Sequence, residues 1–236
     1  MAELLYLEDC YVMEFEAKVE SVVDAKQIVL DKTAFYPNSG GQPGDTGKLV
    51  RLSDGQEFNV LFCRKDDTIY HEVDSEGLMA GDNVKGVIDW NNRYVLMRMH
   101  TAAHVLSRVL FEETGATTSG NQLGLDKSRI DFRLENYDKE KIKECVDKAN
   151  EIIGKGINVE KRVMKKDEAF GIEGFGAPSP HLVQDSETLR VVDIEGVDAQ
   201  PCGGTHVNDT SEIGRIEFVK AENKGKSNRR VYYRLL

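Results

Sequence analysis

Two short spans far apart in the chain constrain this protein more than any other feature: His100-Thr-Ala-Ala-His104 and Cys202-Gly-Gly-Thr-His206. Together they hold three of the five histidines and one of the four cysteines, and they form one tetrad only if the fold brings them to one point. The first span lies in a stretch that reads as helix, Asn91 to Glu113, where an i, i+4 spacing sets both imidazoles on one face about one turn apart. The second lies in a Gly-rich turn before Glu212-Ile-Gly-Arg-Ile-Glu-Phe-Val219, whose alternation reads as a strand. A thiolate and an imidazole can converge there without helical constraint.

Three imidazoles and a thiolate are a donor set that zinc favours. Either half alone is a weak signal, an accidental pair on an amphipathic helix or in a loop. The joint reading is stronger because packing does not require a soft ligand in a Gly-rich loop. The residue after His100 is Thr101, so the glutamate base of the His-Glu-x-x-His zinc proteases is missing and a protease is disfavoured. Four protein ligands would close a tetrahedral site, which keeps a structural metal open beside a catalytic one.

With 236 residues, 40% hydrophobic and 31% charged, the chain can bury a substantial core and make one large or two small domains. No apolar run reaches the length of a membrane span, and the first ten residues lack a signal peptide's basic start and apolar stretch. The expected location is cytosolic, with no membrane partner. In a reducing compartment Cys10, Cys63 and Cys145 read as thiols of the core rather than a disulfide framework. A net charge of −10 and a pI near 5.1 argue against non-specific coating of nucleic acid. A local footprint remains open at Lys220, Lys224, Lys226, Arg229 and Arg230, and at Lys161, Arg162, Lys165 and Lys166. Each cluster could equally be a solvated face.

A boundary is expected near residue 90, giving domains 1–90 and 91–236. Before it, β-like runs over 14–22, 27–30, 57–62, 68–73 and 84–89, punctuated by Asp54-Gly55 and Ala80-Gly81-Asp82, read as a small β-barrel. After it come the histidine helix, a strand near 129–134, a second helix over 138–153 and a short one over 165–172. That order predicts an α+β fold, helices in one layer on a mainly antiparallel sheet. His71 and His181 read as non-functional, Trp90 as packing, and Arg129 with Asp131 as either an ion pair or a phosphate contact. The segment from Phe35 to Gly47 holds four glycines and two prolines and reads as a shaped loop, though not a Walker loop, because no Gly-Lys-Ser/Thr follows.

Ser39-Gly-Gly-Gln-Pro-Gly-Asp-Thr-Gly47, His100-Thr-Ala-Ala-His104 and Cys202-Gly-Gly-Thr-His-Val207, in that order, resemble the editing region of alanyl-tRNA synthetase and, over nearly the whole chain, the freestanding alanyl-tRNA editing proteins of medium length. The resemblance implies zinc-dependent hydrolysis of the ester on mischarged tRNA(Ala), chiefly Ser-tRNA(Ala) with Gly-tRNA(Ala) a further candidate, and without ATP, since the aminoacylation domain is absent. It implies that His100, His104, Cys202 and His206 hold one Zn2+ and form the catalytic centre, where zinc activates water or anchors the substrate's α-amino group. Backbone N–H groups at Gly203 and Gly204 would steady the oxyanion. Ser39, Gly40 and Gly41 would contact the acceptor end. Thr118, with Thr117 and Ser119 as rivals in register and a turn or capping hydroxyl as the plainer role, would read the serine hydroxyl. A zinc-stabilised tRNA-binding module and a hydrolase of small esters or amides stand as alternative functions, and oligomeric state is left open.

Overall fold

The computed structural model describes residues 2–172, 187–225 and 227–236; His181 and Lys226 lie outside them. Two compact units divide at Leu96/Met97.

In the first unit a short parallel pair, β1 (Glu3–Leu4) with β4 (Lys32–Thr33), accompanies helix α1 (Leu5–Glu8). Strands β2 (Glu14–Val23), β3 (Gln27–Leu30), β5 (Gly47–Arg51), β6 (Glu57–Lys65), β7 (Ile69–Val73) and β8 (Asn83–Ile88) close a barrel in the order β2-β3-β7-β6-β5-β8. Their pairings are antiparallel. The period-two pattern dictates the interior: Phe15, Ala17 and Val19 of β2 point inward with Phe58 and Val60 of β6 and Leu49 of β5, while their neighbours face out. Gly86 is required where it stands, since a Cβ there would meet the Phe15 ring at 2.4 Å. The barrel expectation holds; β5 was the strand missed, its short run hidden behind the Gly-rich loop.

His71 on β7 is buried, with Nδ1 3.0 Å from Ile28 O and Nε2 2.8 Å from the Thr33 hydroxyl. It is a core residue, as expected. Trp90 stacks on Tyr94 with ring centroids 5.6 Å apart. Helix α2 (Trp90–Thr114) follows Asp89, whose carboxylate accepts from the Asn92 N–H at 3.3 Å, the expected capping geometry for an acid before a helix.

The second unit carries two antiparallel sheets where the sequence reading anticipated one. Strands β9 (Thr117–Gln122), β10 (Ser128–Arg133), β14 (Ile216–Asn223) and β15 (Asn228–Leu235) form the sheet β14-β15-β10-β9. Strands β11 (Val159–Lys165), β12 (Thr188–Ile194) and β13 (Asp198–Pro201) form the other. Helix α3 (Lys139–Ile153) is capped by Asp138 and buries Ile142, Cys145, Val146, Ala149 and Ile153, one apolar stripe at helical spacing. A short α4 (Lys166–Phe170) follows β11.

Two local expectations are corrected. The alternating run from Glu212 is not strand at its start: Thr210–Ile213 form a 3-10 turn, held by a capping box between Asp209 and Glu212 and ended by Gly214 at φ 78°. The turn's caps outweigh the alternation. Thr117 to Gln122, where the sequence reading assigned no strand and offered a turn or capping hydroxyl as the plainer role of Thr118, is the edge strand β9, because β10 supplies the ladder partners that this polar segment does not advertise.

Candidate metal centre

Helix α2 supplies His100 and His104, and the loop after β13 supplies Cys202 and His206. Their ligand atoms lie within 4.8 Å of one another. Cys202 Sγ is 3.3 Å from His206 Nε2 and 3.6 Å from His100 Nε2. The three imidazoles are buried and Cys202 is half-buried. The group could hold a metal ion.

The outer contacts test that fit. Thr101 Oγ1 donates to Met97 O at 3.0 Å and accepts from Val207 N–H at 3.3 Å. With its only hydrogen committed, it accepts from Nδ1 of His206 at 3.1 Å, leaving the Nε2 lone pair facing Cys202. Asp198 Oδ2 lies 3.2 Å from Nδ1 of His104 and does the same for that ring. Gln200 Nε2 donates to both Asp198 oxygens at 3.0 and 2.9 Å. Carboxylate and hydroxyl partners on the far nitrogen are the usual way a protein orients metal-binding histidines. Arg190 Nη1 donates to the carbonyls of Cys202 at 2.6 Å and Gly204 at 3.0 Å, clamping the loop.

Burial resists ionisation of Cys202, but the neighbouring His100 and His206 outweigh it and hold the thiol well below its ordinary range. Burial, helped by the neighbouring His100, pushes His206 well below its ordinary range. His104 feels the same burial, yet the bonds to Asp198 and Cys202 raise it to about 10 in the metal-free cluster. A borderline-soft cation requires a thiolate and neutral imidazoles, so His104 would give up a proton when the ion binds.

The other anticipated residues stand outside the four-residue cluster. Gly203 is half-buried, and a Cβ there would meet nothing within 4 Å. Gly204 N–H points at Cys202 Sγ, 3.4 Å away. Thr117, Thr118 and Ser119 are all exposed on β9. Thr118 pairs with Phe132 and Thr117 with Arg133, and Ser119 falls in the bulge between Thr118 and Gly120. In the barrel unit Ser39 and Gln42 bridge a tight turn in which Gly40 and Gly41 have φ 57° and 83°, the two successive positive values that glycine tolerates.

The basic clusters are mostly satisfied internally. Glu222 pairs with Lys220 and Lys224, Asp131 with Arg129 and Arg230, and Asp193 with Arg162. Arg129 and Asp131 are therefore an ion pair. Sequence reasoning missed Thr101, Asp198 and Arg190; a hydroxyl directly after the first histidine and an acid four residues before Cys202 were the available signals. Among the described residues no helix is long and apolar enough to cross a membrane.

Comparison with known proteins matches residues 189–232 to the threonyl and alanyl tRNA synthetase second additional domain and residues 6–92 to class II (A) tRNA synthetases. The chain is 51% identical, over the full length of both, to the alanyl-tRNA editing protein AlaX-M of Methanosarcina barkeri, and 38% identical to that of Saccharolobus solfataricus over 99% of this chain and 98% of the relative. It is also 38% identical to the alanine–tRNA ligase of Methanococcus maripaludis, over 93% of this chain and 24% of the ligase. Matching end to end at half identity, with the histidine and cysteine cluster assembled, the chain belongs to the AlaX-M family of alanyl-tRNA editing proteins.

Proposed function

We propose that this protein is a zinc-dependent aminoacyl-tRNA deacylase that clears serine, and secondarily glycine, from mischarged tRNA(Ala) in the cytoplasm while sparing Ala-tRNA(Ala). The observation that carries the reading is the convergence of His100, His104, Cys202 and His206 with the His104 and His206 rings locked by Asp198 and Thr101. These four residues hold the zinc, which when bound supplies Lewis acidity to the site.

The reaction adds water to the ester carbonyl carbon and breaks its bond to the ribose oxygen of the terminal adenosine. The oxygen leaves as a hydroxyl, and free amino acid departs. The chain's own groups position that event. Gly204 N–H donates to Cys202 Sγ and so supports the thiolate rather than the substrate. Gly203, with open space beside it, is left as the backbone donor for the developing oxyanion. Thr118, on edge strand β9, donates to the serine hydroxyl, and Ser39, Gly40 and Gly41 meet the acceptor end through backbone contacts that carry no sequence information.

Size exclusion cannot admit serine and reject alanine, because alanine is the smaller. Polar complementarity can: a group that bonds the serine hydroxyl is left unsatisfied when alanine binds. The test is deacylation of Ser-, Gly- and Ala-tRNA(Ala) side by side, with zinc measured in the same preparation. Loss of serine with alanine spared, abolished by Cys202→Ala, supports the reading. Bound zinc without hydrolysis would instead make the four-ligand site structural and the protein a binding module; full activity in verified zinc-free protein would remove the metal from the chemistry.

A further inference from the structure

Three consecutive N–H groups of the ligand loop are used differently. Cys202 N–H donates to Arg190 O at 3.0 Å, and Gly204 N–H donates to Cys202 Sγ at 3.4 Å. Between them, among the described residues, the half-buried Gly203 N–H meets no acceptor. Backbone donors away from bulk water are nearly always paired, so an open one beside a metal ligand requires a reason.

Gly203 and Gly204 carry no Cβ, and sterics alone would let the peptide group between Cys202 and Gly203 turn over at little cost. Arg190 prevents that. Val191 of β12 pairs with Pro201 of β13, a register that sets Arg190 opposite Cys202. The Arg190 backbone carbonyl holds the Cys202 N–H, and its side chain reaches back over the loop, where one nitrogen, Nη1, donates to Cys202 O at 2.6 Å and to Gly204 O at 3.0 Å.

A peptide group is planar and trans, so its C=O and N–H point opposite ways. Holding the Cys202 carbonyl therefore turns the Gly203 N–H away from Arg190, and the backbone there is uncrowded: a Cβ built on Gly203 would meet nothing within 4 Å. Charge adds to direction. A bond from a cationic donor is stronger than a neutral one, and it polarises the amide whose carbonyl it holds, strengthening the N–H at the other end of the same group.

We propose that Arg190 is a positioning residue of the deacylation reaction, aiming and polarising the Gly203 N–H so that it donates to the oxyanion developing on the ester carbonyl. The inference rests on the deacylase reading and deepens it. Arg190 acts through one peptide group rather than on the substrate itself. Every aminoacyl ester develops the same oxyanion, so the effect falls on the rate of hydrolysis and not on the choice of amino acid.

The test compares Arg190→Met, of similar length and without donors, with Arg190→Lys, which keeps a cationic donor, in the zinc-loaded full chain. Deacylation of Ser-tRNA(Ala) and Gly-tRNA(Ala) is resolved into kcat and KM, zinc affinity is read by chelator competition, and the Gly203 amide proton is followed as an assigned NMR resonance. Arg190→Met should lower kcat about 10- to 100-fold, by the same factor on both substrates, because a donor is misaimed rather than deleted. KM should stay within about threefold, as for an interaction made only in the transition state. Zinc affinity should change by less than the roughly tenfold that a ligand-orienting group gives. The Gly203 resonance should move upfield, and Arg190→Lys should recover most of the lost rate.

Unchanged kcat in Arg190→Met overturns the proposal, as does an unmoved Gly203 resonance or a loss confined to one substrate. A fall in kcat that tracks loss of zinc, or Arg190→Lys as slow as Arg190→Met, also overturns it and leaves the arginine as a clamp on the loop. Wild-type protein inactive on both substrates would sink the deacylase reading itself, whereas an active wild type indifferent to Arg190 would sink this inference alone.

Discussion

Thr101 Oγ1 lies 3.1 Å from Nδ1 of His206, a residue 105 positions further along the chain. One hydroxyl thus ties helix α2 to the ligand loop, sets the tautomer of a metal-facing imidazole and accepts from the Val207 backbone. Thr101→Val keeps the shape and removes all three roles. The expected result is a 10- to 100-fold weaker hold on zinc, read by competition with a chromogenic chelator, with the four ligands themselves intact. Unchanged affinity would show that ring orientation is set elsewhere.

In the barrel unit Arg93 is fully buried against Asp45 of the Gly-rich segment, and its guanidinium also donates to the carbonyls of Cys10 and Ala34. Arg93→Met strands a carboxylate in the interior. We expect destabilisation of about 3–5 kcal/mol in urea unfolding, with part of it recovered when Asp45→Asn is added. A loss below about 1 kcal/mol would mean that water reaches Asp45.

His71 gives a pH dependence. Burial lowers its pKa from 6.5 to about 4, against a smaller opposing contribution from the Ile28 carbonyl. The unfolded chain therefore binds a proton that the folded protein refuses, and stability falls as pH drops from about 6.5 towards 4. The loss reaches about 3 kcal/mol at the acid end. Unfolding free energies measured across that window should slope less steeply in His71→Gln, which cannot titrate, whatever its absolute stability.

Thr118→Val should lower kcat/KM on Ser-tRNA(Ala) about tenfold or more while leaving Gly-tRNA(Ala) nearly unaffected. Steady-state deacylation on both substrates decides it; equal losses would take Thr118 out of hydroxyl recognition.

Gly40 has φ 57° and an added Cβ would come no nearer than 3.9 Å to the Tyr36 hydroxyl. Space is available, so Gly40→Ala should cost only the positive-φ penalty, about 1–2 kcal/mol. Turnover falling well beyond that stability change, with the melting curve as control, would place the turn on the acceptor end. Parallel losses would make it purely structural.

The sequence by itself determined the metal-type tetrad, the helix that carries half of it, the barrel strands other than β5 and the capped α3. Each of these depends on residue identity or on a period of two or 3.6, which neighbours in the chain are enough to set. Asp138 before an amphipathic stripe announces a helix wherever it packs. The tertiary structure alone decided that Cys202 and His206 meet His100 and His104, that Thr101 and Asp198 orient the rings, and that Arg93 finds Asp45. It also decided that the alternation after Glu212 yields first to a capped turn, and that polar Thr117 to Gln122 becomes an edge strand bulged at Ser119. Those outcomes depend on long-range pairing: a β10 ladder for β9, a hydroxyl held by Met97 for His206. A strand partner or a second hydrogen bond is supplied by packing, and no local pattern encodes the distance at which it will stand.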